Sequence, residues 1–192
     1  MNRVPLEDIS GIHEIEMHTA QLMQGVVPLI GEINSQSAEE IIFSLRYLAQ
    51  QGKDVVLILN SPGGEVLPGL AIVDAVKAYP YQLSVLCMSL AASMGAIILA
   101  SCPKGRRLIL PHAKVMIHEP LIAGGLGGSV TTIEKTAQSM VETKAILNQI
   151  LAECTGRTME EIDKATAFDN YMTAKEAIAF GLCDAISSPY SI

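Results

Sequence analysis

Residues 55–64 read Val-Val-Leu-Ile-Leu-Asn-Ser-Pro-Gly-Gly. The five apolar residues are of strand length, and a run apolar at every position predicts a strand covered on both faces, as in a parallel sheet. Gly63 and Gly64 follow at its carboxyl end. Adjacent glycines there allow a tight turn with exposed N–H groups, which can donate to an oxyanion and would serve equally well as an ordinary turn. Working outward, 26–30 is a second short apolar run, ended by Gly31. Ser37-Ala38-Glu39-Glu40 then reads as a capping box with Ser37 as the cap, and Ile41, Ile42, Leu45 and Leu48 follow at helical spacing up to Gly52. On the other side the pattern predicts a helix over 67–78, a strand over 83–88, a helix over 93–101 and strands over 107–110 and 114–118. Strands alternating with helices imply parallel pairing through right-handed crossovers, an α/β layered domain with a mostly parallel sheet.

Beyond this lies a glycine-rich stretch, residues 123–129, and then a long helical pattern over 131–154 ended by Gly156. Short helices are expected over 159–167 and 174–180, the second behind the box Thr173-Ala174-Lys175-Glu176, and a last strand over 182–186. With no internal repeat and no linker, residues 1–192 read as a single domain.

Composition narrows the function. The chain has 192 residues, 49% hydrophobic and 17% charged, which argues against disorder. A formal net charge of −7 with scattered Lys and Arg speaks against nucleic acid or an anionic membrane as partner. Cys87, Cys102, Cys154 and Cys183 form no C-x-x-C pair, so neither a metal site nor a redox motif is expected, and reduced cytosolic thiols are. Residues 1–8 carry no apolar run of the kind a cleaved signal has, in keeping with a cytoplasmic protein. Residues 78–103 are uncharged and long enough to span a bilayer, but they hold Pro80, Gln82, Ser84, Ser89, Ser93 and Ser101, and read better as a buried strand and a buried helix.

The chemistry-bearing candidates sit at the ends of these elements. In Ala91-Ala92-Ser93-Met94-Gly95-Ala96, Ser93 falls where a strand meets a helix. Unpaired amides and the helix dipole favour negative charge there, and small neighbours let a substrate backbone approach, as at the nucleophile elbow of serine hydrolases; Ala91 stands where that pattern has glycine. A plain N-cap serine fits the same position. His118 ends the apolar run Val115-Met116-Ile117, at the sheet edge where a parallel arrangement would bring the other loops. His13, His18 and His112 lie in polar segments or a turn. Asp169 lies between two helices; alone it is a loop aspartate. A serine nucleophile, however, needs a base, and a neutral imidazole needs an acidic partner on its second nitrogen.

Taken in order, these segments resemble the caseinolytic protease proteolytic subunit family, ClpP. The residues that carry the resemblance are Asn60-Ser61-Pro62-Gly63-Gly64, Cys87-Met88, Ala91 to Ala96, Val115-Met116-Ile117-His118-Glu119-Pro120, Phe168-Asp169-Asn170-Tyr171-Met172-Thr173-Ala174-Lys175-Glu176-Ala177 and Gly181-Leu182-Cys183-Asp184. The resemblance runs over 14–186. It implies a crotonase-like fold with a handle, about 119–154, built from the glycine-rich strand and the long helix. It implies Ser93 as nucleophile, His118 as base, Asp169 as acid, and an oxyanion hole from the amides of Gly64 and Met94. It also implies that Gly63, Gly124, Gly125, Leu126 and Gly127 bind extended polypeptide by strand addition. No cofactor or metal is implied. The implied partners are polypeptide substrates, further copies in a heptamer or tetradecamer, and an AAA+ unfoldase such as ClpX, ClpA or ClpC.

Several residues depart from the family pattern. The strand over 55–59 has no aromatic, and Ala78 stands where one is common, so the surface for the usual ATPase is atypical. Phe168 replaces an arginine that pairs across the ring interface, the handle strand is longer and lacks its glutamine tip, and residues 1–11 are unlike the axial loop. Two other readings are open: a catalytically weak ring partner of an active paralogue, and a crotonase-type acyl-CoA enzyme, whose acid–base groups are usually carboxylates. A serine–lysine dyad has no lysine placed as well as His118.

Overall fold

The computed structural model describes residues 3–9, 11–122 and 127–188, and among them seven strands form one sheet. Strands β3 (Val26–Ile30), β4 (Val55–Ser61), β5 (Leu83–Ala92), β6 (Arg107–Ile109) and β9 (Ala185–Ile186) lie side by side in that order, all parallel. β7 (Lys114–Ile117) joins parallel to the far end of β5, and β8 (Asn170–Thr173) closes the margin antiparallel to β7. The α/β class and mostly parallel sheet expected from the alternating pattern are therefore present.

β5 is longer than the apolar run over 83–88, because it pairs with two neighbours in succession. Val85, Leu86 and Cys87 pair with β6, whereas Leu90, Ala91 and Ala92 pair with β7. This change of partner carries the strand straight into Ser93. Helices α2 (Ser35–Gln50), α3 (Val66–Lys77) and α4 (Met94–Ser101) cover one face. Every residue of α4 is buried, as expected of a helix apolar all round.

The strand over 55–59 is not covered on both faces. Val55, Leu57 and Leu59 are buried while Val56 and Ile58 are half-exposed. The outer residues, with Val26, Pro28, Ile30, Leu86, Met88 and Gln21 of α1 (Met17–Met23), line an open, mostly apolar groove. The start of α2 also differs. Asn34 is the cap and Ser37 is the third helical residue; each side chain bonds the other's backbone N–H at 3.0 Å. Asn34 thus forms the reciprocal box one turn earlier than Ser37 does in the sequence reading, and Glu40 accepts from Gln36 instead. Near the N-terminus β1 (Arg3–Asp8) and β2 (Gly11–Glu16) pair as an antiparallel hairpin that the polar sequence did not announce.

After the glycine-rich stretch, α5 (Val130–Thr155) packs its C-terminal part on α4 and α6 (Met159–Thr166) through Leu147, Asn148 and Leu151, while none of residues 130–146 is buried. α7 (Ala174–Phe180) starts with the expected Thr173–Glu176 box and ends at Gly181. Among the described residues no helix is long and apolar enough to cross a membrane. All four cysteines are free, and burial pushes the Cys87, Cys102 and Cys183 thiols up to about 12, which keeps them protonated and unreactive.

One buried ion pair fastens the C-terminal elements to the sheet. Arg107, 4% exposed, donates from Nε to Asp184 at 3.0 Å and from Nη2 to its other oxygen, while Nη1 reaches the carbonyls of Cys154 at 3.1 Å and Gly181 at 2.7 Å. Two helix ends, of α5 and α7, are capped by one guanidinium. Burial tends to raise the Asp184 pKa, but hydrogen bonds from Arg107 and the amide of Gly105 outweigh it and hold the carboxyl below its usual value. Its contribution to stability is therefore complete above the unfolded carboxyl pKa of about 4 and is lost as pH falls through the folded value. Arg107→Met, which removes that carboxylate's counter-charge, is expected to destabilise the fold by about 3 kcal/mol in urea titration at pH 7. Asp184→Asn should flatten the acid limb of the stability curve.

Candidate active site

The sheet register draws three distant side chains together. Ala92 pairs with Met116, and the Ser93 N–H donates to the Met116 carbonyl at 2.9 Å. Ile117 pairs with Asn170, so the next step along the two strands sets His118 beside Asp169. His118 Nε2 lies 2.9 Å from Ser93 Oγ, and its Nδ1 lies 3.2 Å from Asp169 Oδ1. The ring is largely sheltered, at 15% exposure, whereas Asp169 is 60% exposed. With the proton on Nδ1, Nε2 accepts from the serine hydroxyl.

Ser93 occupies the N-cap position of α4, but its side chain makes no cap hydrogen bond. Its backbone, at φ 53° and ψ −122°, is the only non-glycine with positive φ among the described residues. Such a conformation costs about 1–3 kcal/mol. It turns Oγ away from the amides it would otherwise cap and toward His118. The Met94 N–H, at the start of α4, has no acceptor within its own helix.

The Gly63–Gly64 turn lies against this elbow. Ser61, fully buried at the end of β4, accepts from the Gly63 N–H at 3.1 Å. A Cβ on Gly63 would fall 2.6 Å from the Cβ of Ser93, and one on Gly64 would fall 2.0 Å from the carbonyl oxygen of Ile33. Gly64 is held to Ile33 by a parallel bridge whose bonds use the Gly63 carbonyl and the Glu65 N–H, at 2.8 Å each. The Gly64 N–H takes no part in that bridge.

Beside Ser93 and His118 is a cavity of about 350 Å³. Gly63, Gly64, Ser93, Met94 and His118 form one side, and Val66, Ile97, Leu147 and Leu151 make an apolar wall. Sequence reasoning missed that wall, and Asn148 within it. The only available signal was Leu147, Asn148 and Leu151 at helical spacing on one face of α5. Of the glycine-rich candidates, Gly124, Gly125 and Leu126 lie outside the described residues. Gly127 is exposed, and the cavity wall nearest it in sequence is made by Pro120 and Leu121. Among the described residues no group of His, Cys, Asp and Glu could hold a metal ion.

The ordering of parts along the chain is thus glycine turn after β4, serine elbow after β5, histidine after β7 and aspartate before β8. A family model described as Clp protease matches residues 11–189, which take in every element from β2 to β9, and the chain belongs to the Clp protease family of peptidases.

Proposed function

We propose that this protein is a serine endopeptidase that hydrolyses unfolded polypeptides or peptides, with Ser93 as nucleophile, His118 as general base and Asp169 as the group that orients the imidazole. The observation that carries this reading is the unbroken hydrogen-bond chain from Ser93 Oγ through the ring to Asp169 Oδ1. Ser93 Oγ attacks the peptide carbonyl carbon as its proton passes to His118 Nε2. The resulting oxyanion is held by the amides of Gly64 and Met94, the second at a helix N-terminus. His118 then gives its proton to the leaving amine as the C–N bond breaks. Water, deprotonated by the same nitrogen, releases the acyl group and restores the serine. Gly63, Gly124, Gly125, Leu126 and Gly127 bind the extended peptide, and the apolar cavity takes a substrate side chain.

Residues 1–192 act as one cytoplasmic peptidase domain that assembles through the handle into a heptamer or tetradecamer. Support comes from α5, whose exposed Val130, Ile133, Val141 and Ile146 lie on its N-terminal part, where no residue from 130 to 146 is buried. The groove over β3, β4 and β5 suits an apolar loop of an AAA+ unfoldase, although it is built from aliphatic residues and not aromatic ones. A fluorophosphonate probe tests the chemistry. Wild type should be labelled at one site and Ser93→Ala should not; labelling that persists in the variant would remove Ser93 from its role. Native mass measurement of the same samples reads the ring number.

A further inference from the structure

We infer that Lys144 is a positioning residue for the catalytic histidine, acting through Glu119. The inference rests on the reading of His118 as the base. Glu119 directly follows His118, and its N–H donates to the Thr166 carbonyl at 2.7 Å. Thr166 ends α6, three residues before Asp169. The same backbone bond therefore ties the segment bearing the base to the segment bearing the acid. The Glu119 carboxylate reaches across to α5, where Lys144 Nζ lies 3.0 Å from Glu119 Oε2 and 2.7 Å from Asp163 Oδ1. One ammonium thus bridges two carboxylates, one beside the histidine and one on the helix that leads to the aspartate. The hydrogen bonds that Lys144 donates to Asp163 and then Glu119 raise its pKa, so the ammonium stays charged throughout the neutral range.

The cluster continues inward. Asn148, one helical turn on from Lys144, donates to the same Asp163 oxygen at 3.4 Å and faces the Thr166 hydroxyl at 3.5 Å, and it lines the cavity beside the triad. Lys144 is 30% exposed and its partners more so, and ion pairs this open add little to folding stability. What the bridge does add is geometry. Without the cation, two carboxylates drawn to one point repel each other, and the 2.9 Å contact between His118 and Ser93 is what their separation disturbs.

That electrostatic origin gives a test that ordinary packing would not pass. Lys144→Met is expected to lower kcat for a fluorogenic peptide about tenfold, the scale set by a sub-ångström misplacement of a reacting group, with KM and Tm little changed. Adding Glu119→Gln to Lys144→Met removes the repulsion and should restore most of kcat; Lys144→Arg should keep it. The rate of fluorophosphonate labelling should follow kcat through the series. Unchanged kcat in Lys144→Met, or a double variant no better than that single one, overturns the inference while leaving the triad in place. A fall in Tm that parallels the fall in kcat overturns it too, since the role is then structural. Full hydrolysis by Ser93→Ala, run alongside, overturns the triad and this inference together.

Discussion

Ser93→Ala is expected to lower peptide hydrolysis by about 10⁶-fold, His118→Ala by nearly as much, and the double variant by no more than either single change. In the proposed mechanism the two groups act as one unit: the hydroxyl is a weak nucleophile without the imidazole, and the imidazole has no proton to take without the hydroxyl. Their 2.9 Å contact makes that dependence direct. Asp169 stands differently. At 3.2 Å from Nδ1 and 60% exposed, it is partly replaceable by water, and Asp169→Asn should reduce turnover by fewer orders of magnitude than loss of the serine. Residual activity in all of these should come from the amides of the Gly64 turn and α4, which the substitutions leave intact. Steady-state hydrolysis by the four proteins checks the pattern. Multiplicative losses in the double variant would mean that Ser93 and His118 act independently and do not belong to one relay.

Gly64→Ala is expected to be the most damaging change outside the triad. At φ 151° the backbone is where side chains are strained, and the new Cβ would meet the Ile33 carbonyl oxygen at 2.0 Å. That oxygen belongs to the backbone, so relief requires the turn itself to move. The bridge to Ile33 should be lost, and with it the aim of the Gly64 N–H that the proposed oxyanion hole requires. Loss of one such donor lowers kcat by about 10²–10³-fold. Strain and the broken bridge together should take about 2 kcal/mol from the stability. Because most of the lost interaction exists only with the developing charge, kcat should fall far more than KM rises. A variant with near-normal kcat and lowered Tm would show that Gly64 shapes the fold without touching the reaction.

The alternation of apolar runs with helical spacing made the parallel sheet legible, because each run had a face to bury against helices and several helices, such as α5 and α7, carried a cap or a glycine stop. The candidate residues were legible as types at element ends: a serine at a strand–helix junction, a histidine after an apolar run. What joined them was not. β8 reads Asn-Tyr-Met-Thr, four residues with one buried side chain, and no periodicity can mark so short an element. Yet its register with β7 is what sets Asp169 beside His118. The cap of α2 was misplaced because Ser37 and Asn34 form the same box from opposite ends, a pattern that looks alike from either. The apolar run over 55–59 overstated its burial, since Val56 and Ile58 face an open groove. Lys144, Asp163 and Asn148 were invisible as a group because their meeting depends on how α5 crosses α6.

The three members of the proposed triad are not equally anchored. Ser93 follows the long strand β5 and His118 follows β7, which is paired on both sides, whereas Asp169 depends on a strand with a neighbour on one side only. Short margins of a sheet open at a small fraction of the free energy needed to unfold its interior. Asp169 is therefore the member that can leave without the body of the molecule coming apart, and what remains in its absence is a folded protein with a serine and an imidazole still in touch.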